Sequence, residues 1–533
     1  MELPAKSHRI DTKTLEKLRR SNDLKLFLVV FVVALGLAPM LTVAGLNIGF
    51  GTLLGLLLAV GIAVLTVRWP VFGLFISLAA AVVIEEGKLP TGSDFTDQLY
   101  VFYWPPRWEG LFERPIGMLF LLILVVMIIH HLIKRERLVQ GGGLMPAFSF
   151  FLLCVAMGVA HGLATGGSFK IIVLEVRPLW YLFVMYLLAY NLIASSKHIR
   201  AFFWIVIIAA GIKGLQGVYL LVVVLHGSPS NANELMAHED SFFFVSLLLL
   251  IVLFCLQHRY RAQLYASLIV LAPVLVALVA NQRRADYIAL LLGLCVAWCL
   301  IFLVRPQKRK MLISVALTTL VLGAVYVAIF ANGQGSLASP ARSIIAVFHP
   351  NSGDIRDIQS NLYRVVENYD LKFTVLQNPL LGQGFGKEFL TPWPLADISA
   401  IDQYYLYIPH NTIYWIWMRL GPLGYLSLWF LFGSMIVRGC LVVKTLKDSY
   451  LQMVGIYIVA VTLMEIVVAF ADYQLFFYRN VMYMGLLVGI LMKLPVIEQK
   501  EMPPQESAEE QETPPAPAVA HKAKRRMMVW EFL

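Results

Sequence analysis

The sequence predicts an all-α polytopic membrane protein with about 12–14 transmembrane helices. Of its 533 residues, 59% are hydrophobic and only 14% are charged, whereas soluble domains carry about 25% charged residues. Apolar runs of about 20 residues recur from Leu26 to Leu491, and each is long enough to cross a bilayer. A large outer loop containing short helices is expected before the twelfth span.

The apolar runs divide the chain into five parts. A basic N-terminal segment, 1–25, precedes about eleven spans in 26–331, which include an outer loop at 85–114. A large outer loop, 332–408, is followed by three spans in 409–492 and by a tail, 493–533, which is rich in Pro, Glu and Gln and predicted to be disordered. The predicted spans are 26–43, 46–66, 71–84, 115–133, 144–161, 171–194, 201–225, 241–256, 264–280, 286–304, 311–331, 409–437, 450–470 and 475–492.

The distribution of Lys and Arg predicts how the chain is oriented. With the N-terminus in the cytoplasm, most of the 43 basic residues fall in cytoplasmic segments, as the positive-inside rule requires, and both termini lie inside. The net charge of +10 is therefore explained by topology, and no motif predicts nucleic-acid binding. The five cysteines lie in or beside apolar runs and predict no disulfide framework.

Two adjacent arginines mark a candidate anion site. The segment 281–286 (Asn-Gln-Arg-Arg-Ala-Asp) contains Arg283 and Arg284 at a predicted outer face, although most basic residues fall in cytoplasmic segments. They precede a helix whose N-terminal N–H groups and dipole favour an anion. Guanidinium groups bind phosphate through two hydrogen bonds, so a lipid diphosphate is the expected ligand. The alternative is that both side chains only reach lipid headgroups.

The large loop carries a third candidate arginine, Arg364. Around it, apolar residues recur at helical spacing, which predicts an amphipathic helix with its apolar face on the spans, ending before Pro379. The segment 382–386 contains three glycines, but no strand precedes it and no Lys-Ser/Thr pair follows, so a tight turn is expected. The apolar positions are Ile358, Leu362, Val365, Val366 and Tyr369.

A histidine lies at the predicted outer end of the twelfth span. His410, Tyr414, Trp417, Gly421 and Gly424 share one face of a continuous helix, and the glycines predict a groove for a neighbouring helix or a lipid chain. A histidine at this place can accept a proton from a sugar hydroxyl near neutral pH. A purely structural histidine is the alternative.

Charged residues inside predicted spans are costly and usually have a task. Lys213 lies in the middle of one span, and Arg177, Arg419 and Arg479 lie in others. They are expected either to contact substrate or to pair internally, with Glu175, Glu465 and Asp472 as possible partners.

The ordered set of motifs resembles the O-antigen ligase and polymerase family of bacterial membrane glycosyltransferases. The matching segments are 281–286, Asn378–Gly386 and His410-Asn411 with Gly421 and Gly424, within roughly 204–437. A weaker match is 211–217, which contains Gln216. One departure is Arg419, where the family often has an acidic residue.

The resemblance implies transfer of a glycan from an undecaprenyl-diphosphate-type donor to an acceptor sugar outside the cytoplasmic membrane. No metal ion or cofactor is expected, and the expected partners are a lipid-linked oligosaccharide, a glycan or glycolipid acceptor and membrane lipids. The expected catalytic residues are His410, Arg283 and Arg364. The expected substrate-binding residues are Arg284, Arg177, Lys213, Gln216, Asn411, Tyr414 and Gly421.

Two other functions remain open from the sequence. A transporter or flippase of a lipid-linked glycan or a small anion would also need many spans and buried charges, but it should show symmetry between its halves and broken helices near the midplane. A structural scaffold would leave the arginine pair and the histidine without a task. The long outer loop on one side favours the enzyme, and the sequence does not distinguish a ligase from a polymerase.

Overall fold

A computed structural model describes residues 50–86, 101–102, 114–135, 139–227, 235–257, 261–331, 333, 336–348, 355–399 and 403–502. All regular structure within these ranges is helical, which confirms the predicted all-α class. The predicted span 26–43, most of the loop 85–114 and the end of the tail lie outside the described residues.

The described helices follow the predicted spans closely along the chain. We number them α1 Phe50–Arg68, α2 Pro70–Val83, α3 Pro115–Lys134, α4 Met145–Ala164, α5 Phe169–Leu192, α6 Ser196–Tyr219, α7 His238–Gln257, α8 Arg261–Asn281, α9 Arg284–Val304, α10 Arg309–Phe330, α11 Ser339–Phe348, α12 Ile355–Gln377, α13 Thr412–Thr445, α14 Ser449–Val468 and α15 Tyr478–Glu501.

Eleven of these helices, α3–α10 and α13–α15, are long and apolar enough to cross a membrane. Two shorter apolar helices, Leu57–Arg68 within α1 and Pro70–Val83, precede them. The centre of the bundle is formed by α5, α7, α14 and α15, most of whose residues are buried, whereas α10 lies at the edge and exposes nearly all of its apolar side chains. The protein is therefore a polytopic helical membrane protein.

Small residues allow the two central helices α5 and α15 to approach closely. A Cβ atom at Gly485 of α15 would collide with the carbonyl oxygen of Leu182 in α5, and one at Gly489 would lie 2.6 Å from the carbonyl oxygen of Tyr186. Glycine at these positions lets the backbones pack directly, as in other membrane helix pairs.

The predicted tail begins too early in the sequence. Helix α15 continues through Pro495 to Glu501, although proline removes one helical hydrogen bond. Tertiary contacts hold this last part: Glu498 Oε1 accepts hydrogen bonds from the N–H groups of Lys447 at 2.7 Å and Asp448 at 2.5 Å. Glu501 Oε1 accepts one from the N–H of Ser196 at 2.8 Å. Residues 493–501 are therefore helical.

The amphipathic helix α12 faces the bundle with the opposite side from the one predicted. Its buried face is mainly polar and includes Glu367 and Asp370 as well as Leu371, whereas the stripe through Leu362, Val365 and Tyr369 is exposed. The reason is that polar groups at the ends of the spans offer partners to the polar face. We call the end of the bundle contacted by α12 and residues 378–411 the loop side; α7, α9, α13 and α15 begin there.

Candidate functional site

The turn between α8 and α9 positions the arginine pair. Asn281 Oδ1 accepts a hydrogen bond from the N–H of Met236 at 2.9 Å, and its Nδ2 donates to Ser241 Oγ at 2.8 Å. Gln282 then adopts a left-handed conformation with φ 53°, which few residues other than glycine and asparagine adopt readily. This locked turn presents Arg283 as the N-cap of α9 and Arg284 as its first residue.

Helix α12 brings the third predicted arginine to the same end of the bundle. Arg284 Nη2 donates to Asn361 Oδ1 of α12 at 3.1 Å. One turn further along α12, Arg364 Nη1 donates to Ser360 Oγ at 2.8 Å. The hydrogen bond between α9 and α12 therefore places all three predicted arginines on the loop side.

A buried carboxylate lies among these cations. Asp472, in the turn between α14 and α15, lies 3.0 Å from Nδ1 of His238 through its Oδ2. Burial raises the pKa of the Asp472 carboxyl, but attraction to His238, Arg283 and Arg364 outweighs burial, so the pKa lies below its ordinary value. Asp472 is therefore ionised at neutral pH and acts as a shared counter-ion for the two arginines.

His410 is held by a carboxylate of α12. Its Nδ1 lies 3.0 Å from Glu367 Oε1, and its backbone N–H donates to Glu367 Oε2 at 3.1 Å. The Glu367 side chain is only 1% exposed, whereas that of His410 is 14% exposed. A proton on Nδ1 directed at the carboxylate leaves Nε2 as the ring nitrogen that can accept a proton from a substrate.

Two tyrosines fix the plane of the histidine ring. The ring of Tyr473 stacks on that of His410 with a centroid distance of 4.4 Å and an angle of 28°. The ring of Tyr363 meets it edge-on at 5.5 Å. Tyr473 directly follows Asp472, and Arg364 precedes Glu367 by three residues on α12. These two short links join the histidine to the arginine cluster in one site.

Asn411 has a structural role, and its predicted contact with substrate stays a prediction. Its Oδ1 caps α13 by accepting from the N–H of Tyr414 at 3.0 Å, and its Nδ2 donates to Asn368 Oδ1 of α12 at 2.9 Å. Both ends of the amide are thus engaged in fastening α12 to α13. Tyr414 is half-buried and meets the ring of Trp417 edge-on at 6.3 Å, so its predicted contact with substrate remains a proposal.

Gly421 marks a break in α13, not a groove on a continuous helix. Its φ of 64° and ψ of −169° are not helical, and Pro422 has no N–H to donate to the carbonyl of Met418. The turn 382–386 replaces the missing donors: Gln383 N–H bonds to Met418 O at 2.7 Å, and Gly384 N–H bonds to Arg419 O at 3.1 Å.

The same contact corrects the predicted role of Gly421. A Cβ atom at this position would lie 2.5 Å from the carbonyl oxygen of Leu380, so backbone occupies the space expected for substrate. The break also separates Gly421 and Gly424 from the helical register of His410. Gly421 is therefore required for packing against this backbone.

An ion pair buried between α5 and α13 anchors the turn 382–386. Arg419 Nη2 lies 2.6 Å from Glu175 Oε1, and both side chains are fully buried. Glu175 Oε2 accepts from the N–H of Gly386 at 2.6 Å, while Arg419 Nη1 donates to the carbonyl of Gly384 at 3.2 Å. Glu175 was among the predicted partners for buried cations. The ion pair with Glu175 therefore explains why this chain has an arginine at position 419, where the family often has an acidic residue.

A second buried network contains the predicted residues Lys213 and Gln216. Both donate to Glu85, and Lys213 Nζ also lies 3.4 Å from Asp240 Oδ2. Arg479 completes the network through Asp240 Oδ1 at 2.5 Å and Glu239 Oε1 at 3.0 Å. Lys213 is paired with two buried carboxylates and Gln216 donates to one of them, so their predicted contacts with substrate stay predictions.

Arg177 also lies below the surface of the bundle. It is only 2% exposed, and its Nη1 donates to Tyr478 Oη at the start of α15 at 3.5 Å. Its predicted contact with substrate stays a prediction.

Four residues of the site were not predicted from the sequence as members of it: Glu367, Asp472, His238 and Tyr473. The spacing of Arg364 and Glu367 was a usable signal, because residues three apart share a helix face. The sequence predicts Asp472 only as a partner for buried cations. Within the described residues, no group of three or more His, Cys, Asp or Glu side chains is arranged to bind a metal ion.

A family model described as O-antigen ligase matches residues 268–429. The match contains Arg283, Arg284, Arg364, Glu367 and His410, and it confirms the predicted resemblance over this range. No curated protein matches the chain. Over this range the chain is similar to O-antigen ligases, and eleven of its described helices are long and apolar enough to cross a membrane.

Proposed function

We propose that this chain, whose residues 268–429 match a family model described as O-antigen ligase, transfers a glycan from an undecaprenyl-diphosphate-type donor to an acceptor sugar. The observation that carries the proposal is the pairing of His410 with Glu367 at 3.0 Å beside a cluster of arginines. One group can accept a proton, and the others can hold a diphosphate.

The proposed reaction is a displacement with inversion at the anomeric carbon of the donor. The acceptor hydroxyl oxygen forms the new bond to that carbon, and its proton moves to Nε2 of His410. The bond from the anomeric carbon to the diphosphate oxygen breaks, and the electron pair leaves with the lipid diphosphate. Glu367 stabilises the imidazolium ion that forms, as a carboxylate does in a catalytic triad.

The arginines supply the stabilisation of the leaving group. Arg283 and Arg364 lie close enough to Asp472 to lower its pKa, so the ionised carboxylate attracts both guanidinium groups before a donor arrives. Fixed positive charge aimed at a developing negative charge is an effective form of catalysis, because it costs no reorganisation during the reaction. Arg284 is proposed as an additional donor contact, held by Asn361.

A transporter of a lipid-linked glycan is the second candidate. It is favoured by the buried network of Lys213, Asp240 and Arg479 in the bundle, since ionisable groups inside membrane bundles often mark transport pathways. The transfer measurement at the end of the Discussion separates the two functions.

We propose that the loop side lies outside the cytoplasmic membrane and that both termini lie inside. In a variant without native cysteines, Ser399→Cys in the loop should react with a membrane-impermeant thiol reagent in intact cells. Lys447→Cys, at the opposite end of α13, should react only after permeabilisation, because the membrane separates the two ends. Both positions are exposed. Labelling of position 447 alone in intact cells would reverse the proposed orientation.

Donor binding should depend on Arg283. Arg283→Ala should weaken binding of a soluble prenyl diphosphate by roughly 1.5–3 kcal/mol, the usual value of a charged hydrogen bond. Arg283→Lys should restore only part of it, because lysine lacks the planar fork. The measurement is calorimetric titration of detergent-purified protein with farnesyl diphosphate.

A matched control for this titration is Arg309→Ala. Arg309 is exposed and stacks on Phe302 near the other end of α9, so its loss should leave diphosphate binding unchanged. Equal weakening by both variants would indicate a nonspecific charge effect. Wild-type binding by Arg283→Ala would remove Arg283 from the proposed donor site.

A further inference from the structure

Helix α12 carries an apolar stripe that the bundle does not cover. Leu362, Val365, Tyr369 and Leu376 are 61%, 64%, 52% and 62% exposed, and their spacing places them on one helix face. On the buried side, Glu367 is 1% exposed. A soluble protein seldom leaves such a stripe open to water without a partner.

Both ends of α12 are fastened at the level where spans begin. Near its start, Asn361 bonds to Arg284, the first residue of α9; α9 has 21 residues and so a length of about 32 Å. Beyond its end, the backbone of Leu380 lies against Gly421. From that break, α13 continues to Thr445 over about 36 Å. Each length matches a hydrocarbon core of about 30 Å.

The stripe is continuous with a surface that spanning helices present to lipid. Leu380 and Leu381, which follow α12, are 80% and 64% exposed. Directly beyond the break at Gly421, α13 exposes Leu423, Leu426 and Phe430. The apolar surface therefore runs from α12 over the leucine pair onto the side of a membrane-spanning helix.

We propose that α12 is an interfacial membrane helix whose apolar stripe contacts the acyl chains of the surrounding lipid on the loop side. Interfacial helices bury an apolar face at the boundary between headgroups and chains and keep the other face polar. Here the polar face is turned toward the bundle. Lys372 falls on the same side as the stripe, and its long side chain can reach headgroup phosphates.

This arrangement places the candidate site at the depth of lipid headgroups. Arg364 and Glu367 lie on the polar face of a helix whose other face is in lipid. The diphosphate of a lipid-borne donor can then reach Arg364 while its hydrocarbon tail stays in the membrane. This consequence rests on the proposed function, whereas the contact with lipid does not.

The test uses an environment-sensitive fluorophore on single cysteines in an otherwise cysteine-free protein reconstituted into phosphatidylcholine vesicles. Labels are placed by Leu362→Cys and Val365→Cys in the stripe, by Leu426→Cys as a lipid-facing reference, and by Ser399→Cys as a water-facing reference. Lipids with a nitroxide near the top of the acyl chain should quench the labels at 362, 365 and 426 to a similar extent. Iodide in the buffer should quench only the label at 399.

Two results would overturn the proposal. Strong quenching by iodide at 362 and 365, without quenching by the labelled lipid, would show that the stripe faces water. Absence of both kinds of quenching would show that protein covers it. Neither result depends on glycan transfer, so a failure of the proposed reaction and a failure of the lipid contact are separately visible.

Discussion

His410→Ala is expected to lower turnover by roughly 10²–10⁴-fold, the usual contribution of a general base. The arrangement gives the reason: Glu367 engages Nδ1 at 3.0 Å, so Nε2 is the atom that can receive the proton of the acceptor hydroxyl. Binding of the prenyl diphosphate should change little, because the phosphate contacts are assigned to the arginines. Turnover and diphosphate binding are measured side by side on folded protein.

Glu367→Gln tests whether the carboxylate acts through the histidine. The amide keeps the shape of the side chain but removes the charge that stabilises the imidazolium ion. The rate should fall while the unfolding temperature stays near that of the wild type. The measurements are the rate of transfer at saturating donor and the unfolding temperature of each variant.

A different pattern would contradict the assignment of His410. A variant that turns over normally at saturating donor but binds the diphosphate poorly would place His410 in the donor site. Asn368→Ala is a matched structural control. It removes the bond from Asn411 at 2.9 Å on the same helix but leaves the contact between Glu367 and His410. Its effect should appear mainly in stability.

Arg419→Leu is expected to destabilise the protein by roughly 3–5 kcal/mol, because it leaves the buried charge of Glu175 without its partner. It also removes the hydrogen bonds from Arg419 to the carbonyls of Gly384 and Tyr407. The turn 382–386 should then loosen from the break in α13. The measurement is the free energy of unfolding in mixed detergent micelles.

The double variant Glu175→Gln/Arg419→Met separates charge from packing. Removing both charges eliminates the unpaired carboxylate, so the double variant should be more stable than Arg419→Leu. The exposed Arg438 near the other end of α13 provides a control, and Arg438→Leu should change stability by less than about 1 kcal/mol. Wild-type stability of Arg419→Leu would show that the pair contributes nothing to the fold.

Within the described residues, the helices follow the predicted spans because the length of an apolar run largely determines where a chain can cross a membrane. It misplaced the face of α12, since periodicity shows that a helix has two faces but not which one the protein covers. The loop side offers polar partners to α12. Asn361 contacts Arg284, Glu367 contacts His410 and Asn368 contacts Asn411. The rule that apolar faces turn inward holds for protein in water, and the proposed contact of α12 with lipid would explain why this helix departs from it.

The candidate site was predicted in part. His410, Arg283 and Arg364 each lie beside a local signal, such as a helix start or an amphipathic pattern. Glu367 and Asp472 were missed as site residues because their partners are far away in the sequence. Glu367 contacts His410, 43 residues later, and Asp472 contacts His238, 234 residues earlier. A local sequence pattern does not indicate such long-range contacts. The break at Gly421 was missed because the apolar pattern continues through it, although the following residue, Pro422, is of a type that commonly kinks or breaks helices.

The most direct test of glycan transfer uses the purified protein in vesicles with a polyprenyl-diphosphate-linked oligosaccharide and a candidate acceptor glycolipid, followed by mass analysis of the products. We expect transfer by the wild type, with a ladder of products from a polymerase or a single addition from a ligase, and loss of transfer in His410→Ala. Movement of intact donor across the bilayer without any new glycosidic bond, equal in the wild type and in His410→Ala, would contradict it and identify a transporter.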